Sequence, residues 1–210
     1  MSSPSMHSQV LISRTQSKLQ VPPELQELVP DALGSSFEIS SLSSQALGLP
    51  REQLQSFISN FKNELMFMLD NCPLSYLATA DTHGETELSL MFFTFDESAQ
   101  AVVFSTPKDT KWRNMLENER VSLLLHNFEG KAATQSLFQG VKPQSITLYG
   151  RAEIMEKGKA AEAGRRQHDE GHGKYGKAFQ GSDKVIARVH VDRVLVVDVK
   201  GNSMRLVRKA

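Results

Sequence analysis

The sequence predicts a mainly β protein, a β-barrel with peripheral helices, over residues 51–210. Two observations carry this prediction. Six or seven short apolar segments alternate as strands do, and tight polar turns separate them. Only a few amphipathic helix patterns interrupt them. Because a closed barrel leaves few exposed edges, it tolerates strands as apolar as these.

Residues 1–50 form a compositionally separate N-terminal arm, which we expect to be largely disordered or loosely packed. The arm is rich in serine and carries prolines at 4, 22, 23, 30 and 50. No acidic residue precedes Glu24, as in an organellar transit peptide. Since Arg14 and Lys18 are its only basic residues before that point, an ordinary disordered tail is the preferred interpretation.

A helix is predicted over residues 51–70, where apolar residues recur at spacings of three and four. Pro50 suits the first helical position, because its missing N–H has no partner there in any case. The apolar stripe consists of Leu54, Phe57, Ile58, Phe61, Leu65, Met68 and Leu69.

Strand patterns dominate the rest of the chain, and the first three are joined by tight turns, which predicts an antiparallel meander. Asp109 or Thr110 is predicted to cap a short helix with Trp112, Met115 and Leu116 on its apolar face. Strands are predicted at 74–80, 86–95, 101–105, 120–128, 144–155, 184–199 with a break near 192–193, and 204–207; a helix at 158–170; and loops at 129–141 and 171–181.

Charge and cysteine content exclude several classes of function. Lys and Arg total 24, as do Asp and Glu, so no basic excess favours a nucleic acid or an anionic membrane as partner. The single cysteine, Cys72, excludes an internal disulfide and a structural zinc site, which fits a reducing, cytoplasmic location. No apolar stretch is long enough for a membrane helix.

The segment 104–123 is the most informative for function. It reads as strand, polar turn, helix and strand, with hydroxyls and lysines clustered where the helix begins. A helix N-terminus offers free N–H groups and partial positive charge, so it favours a phosphate group. Lys108, Lys111 and Arg113 add full charges to that end, although basic residues on a solvated face are a common alternative.

The order of these segments resembles the flavin-mononucleotide-binding split barrel of the pyridoxamine 5′-phosphate oxidase superfamily. The residues that carry the resemblance are Leu77 to Gly84, the run Asn118-Glu119-Arg120-Val121-Ser122-Leu123, and Ile146 to Glu153. Glu119 stands where the family commonly has proline. The resemblance covers residues 51–200.

This resemblance implies a homodimer that binds flavin mononucleotide (FMN) between its subunits and oxidises or reduces a small-molecule substrate. The strand around Leu88 would run along the flavin, Lys111 would bind the phosphate, and Gln144 and Ser145 would meet the flavin. The residues implied to bind the cofactor are Ser89, Leu90, Met91, Ser105, Thr106, Lys108, Thr110, Lys111, Gln144 and Ser145. No general acid or base is assigned, since the flavin itself accepts the hydride.

The sequence departs from the oxidase at two cationic positions. Leu88 and Thr110 stand where the oxidase has arginines that contact the phosphate. The last residues also lack the arginine and histidine that the oxidase supplies to its substrate, so pyridoxamine phosphate is not assigned. The alternatives are a non-enzymatic flavin- or haem-binding or interaction module on the same barrel, and a haem-degrading relative.

Three histidines and the single tryptophan are further candidate ligand contacts. His168 and His172 are four residues apart, but the nearby glycines suggest a helix end and no third ligand is evident, so no metal site is predicted. His126 ends an apolar strand and is interpreted as a core or interface residue, with haem ligation as a lesser alternative. Trp112 is expected to pack the short helix onto the barrel.

Overall fold

A computed structural model describes residues 36–43, 48–72, 74–126, 144–172, 181, 183–198 and 200–209. These residues form three helices and nine strands. The helices are α1 (Arg51–Asn71), α2 (Thr110–Glu117) and α3 (Lys159–His172). The strands are β1 (Phe37–Leu42), β2 (Leu74–Ala80), β3 (Thr86–Phe92), β4 (Thr94–Asp96), β5 (Ala101–Pro107), β6 (Arg120–His126), β7 (Gln144–Met155), β8 (Lys184–Asp198) and β9 (Ser203–Arg208).

All strand pairs are antiparallel, and the sheet runs in the order β1-β9-β8-β7-β6-β2-β3. β8 pairs with β7 along one edge and divides its other edge between β5 and β9. β8 therefore holds two groups of strands together, and the fold class predicted from the sequence is confirmed.

Helix α1 presents five residues of the predicted apolar stripe to the core. Ile58, Leu65 and Met68 are fully buried, and Leu54 and Leu69 nearly so, because residues three and four apart share one face. Pro50 is the N-cap and Arg51 the first helical residue, so the prediction that proline occupies the first turn was wrong by one position.

The predicted strand over 86–95 is two strands in the structure. Phe93 is buried and interrupts the pairing, after which β4 pairs with β5 rather than with β2. The alternating pattern continues through the break because Phe93 is buried like Met91 two residues earlier, so periodicity alone did not reveal it. The predicted break near residues 192–193 is confirmed as a β-bulge, with Asp192 as the extra residue between Val191 and Arg193.

Strand β1 lies within the segment 1–50, where the sequence predicted no strand. Five of its six residues pair with β9, with a register shift at Ser40, and Phe37 and Ile39 are buried in the core. The alternation of these two residues is too short to stand out among the surrounding serines. Residues 1–35 and 44–47 of the predicted arm, and the whole of the predicted loop 129–141, lie outside the described residues.

Helix α3 continues through Gly171 to His172, so the expected helix end before these residues was wrong. The helix packs against β4, β5 and β8, and its C-terminal residues press closely on Thr94. Tertiary packing supports the helix here despite the low helix propensity of glycine. None of the described helices has the length and apolar character needed to span a membrane.

Candidate functional site

Helix α2 begins at a side-chain cap. The Asp109 carboxylate accepts a hydrogen bond from the Trp112 backbone N–H, as an N-cap residue does. The Lys111 ammonium pairs with the same carboxylate, and the lysine residue is only 9% exposed. One buried cation therefore lies at the positive end of the helix dipole, held by an aspartate that an incoming phosphate would have to displace.

Two hydroxyl residues lie just before this helix on β5. Ser105 and Thr106 are buried and pair with Ile186 and Val185 of β8. Thr106 Oγ1 donates to the Pro107 carbonyl oxygen at 3.2 Å. Ser105 and Thr106 therefore lie at the end of β5 that leads through Pro107 to the helix carrying Lys111, and their role in binding a phosphate stays a prediction.

A buried hydrogen bond that sequence reasoning missed anchors α2 to the sheet. Asn114 Nδ2 donates to Thr79 Oγ1 at 3.1 Å, and both residues are almost completely buried. The signal was an asparagine on the apolar face of a short helix, next to Met115. Because buried polar groups need partners, this bond fixes the helix over β2 and thereby the position of Lys111.

Lys108, Thr110 and Arg113 lie around the same helix start but point elsewhere. Lys108 forms an ion pair with Glu156 at 3.1 Å and lies over the Trp112 ring. Arg113 donates to Thr110 Oγ1 at 3.2 Å. Among the described residues, the Trp112 indole Nε1 is buried without a hydrogen-bond partner. Lys108 and Arg113 are therefore already engaged with Glu156 and Thr110, whereas Lys111 is the buried cation at the start of this helix.

Strand β3 provides an open strand edge beside α2. In the described part of the chain it pairs only with β2, and α2 packs against both strands. Met91 is buried, while Ser89 donates to Glu87 Oε1 at 2.9 Å. Leu88 and Leu90 point outward and are 68% and 56% exposed. The predicted flavin strand therefore offers a free backbone edge and two exposed leucines.

The exposed leucines belong to a larger surface, which we call the outer apolar face. The Tyr76 and His126 rings stack on it with centroids 5.8 Å apart, and Tyr76 is paired with both Leu90 and Leu124. Large contiguous apolar patches on a protein surface mark interaction sites. The face comprises Leu74, Tyr76, Leu88, Leu90, Leu124 and His126.

Gln144 and Ser145 lie at the opposite end of β7 from Ser105, Thr106 and Lys111, which we call the Lys111 cluster. Ser145 pairs with His126 and Val197, whereas Met155, ten residues on, pairs with Ile186 near Ser105. Ten strand residues span about 33 Å. Within a single chain, Gln144 and Ser145 therefore lie far from the predicted phosphate-binding turn.

His168 and His172 share one face of α3. Thr94 Oγ1 lies 3.4 Å from His168 Nδ1 and 3.4 Å from His172 Nε2. Burial, reinforced by the neighbouring His172, lowers the pKa of His168 to about 4, and burial also lowers the pKa of His172. Among the described residues, no group of three or more His, Cys, Asp or Glu side chains is arranged to hold a metal ion.

Comparison with known proteins identifies a family. The profile of the pyridoxamine 5′-phosphate oxidase family matches residues 61–198. No curated protein matches the chain at a significant level.

Solved structures with the same fold include haem-binding and flavin-binding proteins. A haem-binding protein from Mycobacterium smegmatis has a TM-score of 0.50 and 20% identity, and the match covers 66% of this chain and 55% of that one. The haem storage protein HutZ from Vibrio cholerae scores 0.52 at 18% identity, with 63% and 90% covered. An FAD-binding protein from Mesorhizobium loti scores 0.51 at 16% identity, with 70% and 93% covered. The chain thus spans only about half the length of the first of these.

Proposed function

The chain belongs to the pyridoxamine 5′-phosphate oxidase family, and from this premise we propose that it binds FMN and acts as an oxidoreductase on a small molecule. The observation that carries the proposal is the buried Lys111 ammonium at the start of α2, next to the buried hydroxyl residues Ser105 and Thr106. A helix N-terminus with an added cation and hydroxyl donors suits a phosphate monoester. The cytoplasmic location remains a prediction from composition.

The residues around the turn have distinct roles in this proposal. Lys111 holds the phosphate, Asp109 keeps the lysine in place until the ligand arrives, and the Asn114–Thr79 bond fixes the helix. The free edge of β3 positions the flavin ring through backbone groups. When bound, FMN supplies a hydride acceptor and donor at its ring, and the protein contributes position and exclusion of water.

We expect Lys111→Ala to weaken FMN binding by about 10- to 100-fold, since one charge-assisted hydrogen bond contributes about 1.5–3 kcal/mol. The dissociation constant is measured by quenching of FMN fluorescence. Lys209→Ala, which removes an exposed lysine just after β9, is the matched control and should bind FMN as the wild type does. If the Lys111→Ala variant bound FMN as tightly as the wild type, Lys111 would not hold the phosphate and the proposal would lose its main support.

The flavin site is proposed to be completed by a second copy of the chain. Gln144 and Ser145 lie far from Lys111 within one chain, and the outer apolar face exposes leucines that a partner subunit would bury. In a two-fold dimer, the outer apolar faces of the two subunits would contact each other. Gln144 and Ser145 of one subunit would then approach Lys111 of the other.

Leu90→Lys is expected to convert the proposed dimer to a monomer, because a buried unpaired ammonium costs several kcal/mol and raises the dissociation constant by about 100-fold or more. Leu116→Lys is the matched control, since Leu90 and Leu116 are both 56% exposed but Leu116 lies on α2. Sedimentation velocity gives the masses. If the wild type is monomeric, or if both variants stay dimeric, the proposal that two subunits share the flavin site is wrong.

Haem is the second candidate ligand, favoured by His126. Its imidazole stacks on Tyr76 within the outer apolar face, where a flat apolar ligand could lie against Leu88 and Leu90. Two of the structurally similar proteins are described as haem-binding or haem storage proteins. A Soret band after haem addition that is lost in His126→Ala, together with no FMN binding, would favour haem over flavin.

A further inference from the structure

Three arginines converge on a concave pocket away from the Lys111 cluster. The pocket has a volume of about 610 Å³ and lies over the strands β6, β7, β8 and β9. We call it the arginine pocket. Its lining residues are Glu119, Arg120, Val121, Tyr149, Gly150, Arg151, Asp192, Arg193 and Val207.

Two of these arginines are placed opposite each other. Arg120 of β6 pairs directly with Arg151 of β7 in the antiparallel register. Like charges at directly opposed positions of a sheet destabilise it. Asp192 compensates the charge of only one of the two arginines, since its carboxylate accepts from Arg151 Nε at 3.1 Å and from Arg151 Nη2 at 3.5 Å. Among the described residues, Arg120 has no acidic partner within ion-pair distance.

The third arginine is held rigidly. The Arg193 guanidinium stacks on the Tyr149 ring at 4.0 Å from its centroid, and its Nε is buried with no hydrogen-bond partner in the described residues. The β-bulge at Asp192 sets adjacent side chains of β8 beside the pocket. Bulges re-aim side chains in this way next to binding sites. A stacked, partly buried guanidinium is pre-organised to accept a planar or tetrahedral anion.

We propose that the arginine pocket binds a phosphate monoester, independently of the flavin. The pocket contains three arginines and two carboxylates, those of Glu119 and Asp192, and Asp192 is already paired with Arg151. A doubly charged phosphate would accept from the free donors of Arg120 and Arg193 and relieve the repulsion between Arg120 and Arg151. Arginine donors match phosphate oxygens bidentately, which makes this class of ligand the natural occupant.

The test uses the full chain labelled with ¹⁵N, as the wild type and as Lys111→Ala, so that phosphate bound near Lys111 is distinguished from phosphate bound in the arginine pocket. Inorganic phosphate is titrated at constant ionic strength, and the arginine Nε–Hε resonances are followed by NMR. We expect saturable shifts of Arg193 and Arg120 with half-saturation in the millimolar range. Arg193→Gln should weaken binding at least tenfold, and Arg166→Gln, an exposed arginine on α3, should not change it.

Arg120→Gln provides a second variant, because Arg120 is exposed and its loss leaves the stacked Arg193 intact. It should also weaken phosphate binding at least tenfold. Shifts that stay linear with phosphate, or that Arg120→Gln leaves unchanged, overturn the proposal. Equal affinity for benzoate overturns the choice of phosphate. A change of oligomeric state in Arg120→Gln without phosphate binding in wild type would assign the pocket to a partner's carboxylate instead.

Discussion

Replacing Gly150 by alanine is expected to lower the free energy of unfolding by about 3 kcal/mol or more, because the added methyl has no space. A Cβ at this position would lie 2.2 Å from the His190 carbonyl oxygen and 2.9 Å from Val189 Cγ1. The first of these is a backbone atom of the central strand β8, so it cannot rotate away. Strands β7 and β8 would have to separate next to the bulge.

Gly84→Ala is the matched control for this substitution. Gly84 has a φ of +87° but nothing lies within 4 Å of its added Cβ, so only the backbone conformation opposes alanine. That strain costs about 1 kcal/mol. Urea denaturation of both variants measures the difference, and a Gly150→Ala variant as stable as Gly84→Ala would show that β7 and β8 are not in such close contact.

Acidification from pH 7 to pH 4 is expected to cost the fold about 3 kcal/mol through His168 alone. The burial that lowers the pKa of His168 to about 4 leaves its ring neutral in the folded protein. The unfolded chain, with an ordinary pKa near 6.5, binds a proton first, so stability falls as the pH drops from about 6.5 to 4. Above pH 7 both states are neutral and the residue adds no pH dependence. His172, whose pKa burial also lowers, adds to the loss in the same direction.

His168→Gln removes the titrating ring and keeps a polar side chain near Thr94. The free energy of unfolding of this variant should depend less steeply on pH between 6.5 and 4 than that of the wild type. His83→Gln, at an exposed turn, should retain the wild-type profile. Parallel profiles for wild type and His168→Gln would mean that the ring is not buried as described.

The sequence predicted most strands because their alternation reflects burial directly. Strand β7 was predicted with both ends correct, since its inward residues are apolar from Ile146 to Ala152 and the outward ones mostly are not. The strand pairing was less predictable: the division of the β8 edge between β5 and β9 depends on contacts between residues distant in sequence. Local periodicity carries no information about such partners.

The candidate site was only partly predictable for the same reason. The proposed phosphate-binding turn is a contiguous segment, so Ser105, Thr106 and Lys111 could be predicted from their order in the sequence. The Asn114–Thr79 bond and the pairing of Arg120 with Arg151 join residues more than 30 positions apart, and no local pattern marks them. The ion pair of Lys111 with Asp109 was also missed, because the sequence suggested aspartate as a helix cap only.

The most direct test of FMN binding is the visible absorbance spectrum of the purified chain, taken before FMN is added and again after incubation with FMN and removal of unbound flavin by dialysis against buffer without FMN. We predict the flavin spectrum, with a shifted band relative to free FMN, at about one flavin per chain. No retained flavin after dialysis, at concentrations where the chain is folded, would contradict the proposal and leave the buried Lys111 as a structural partner of Asp109.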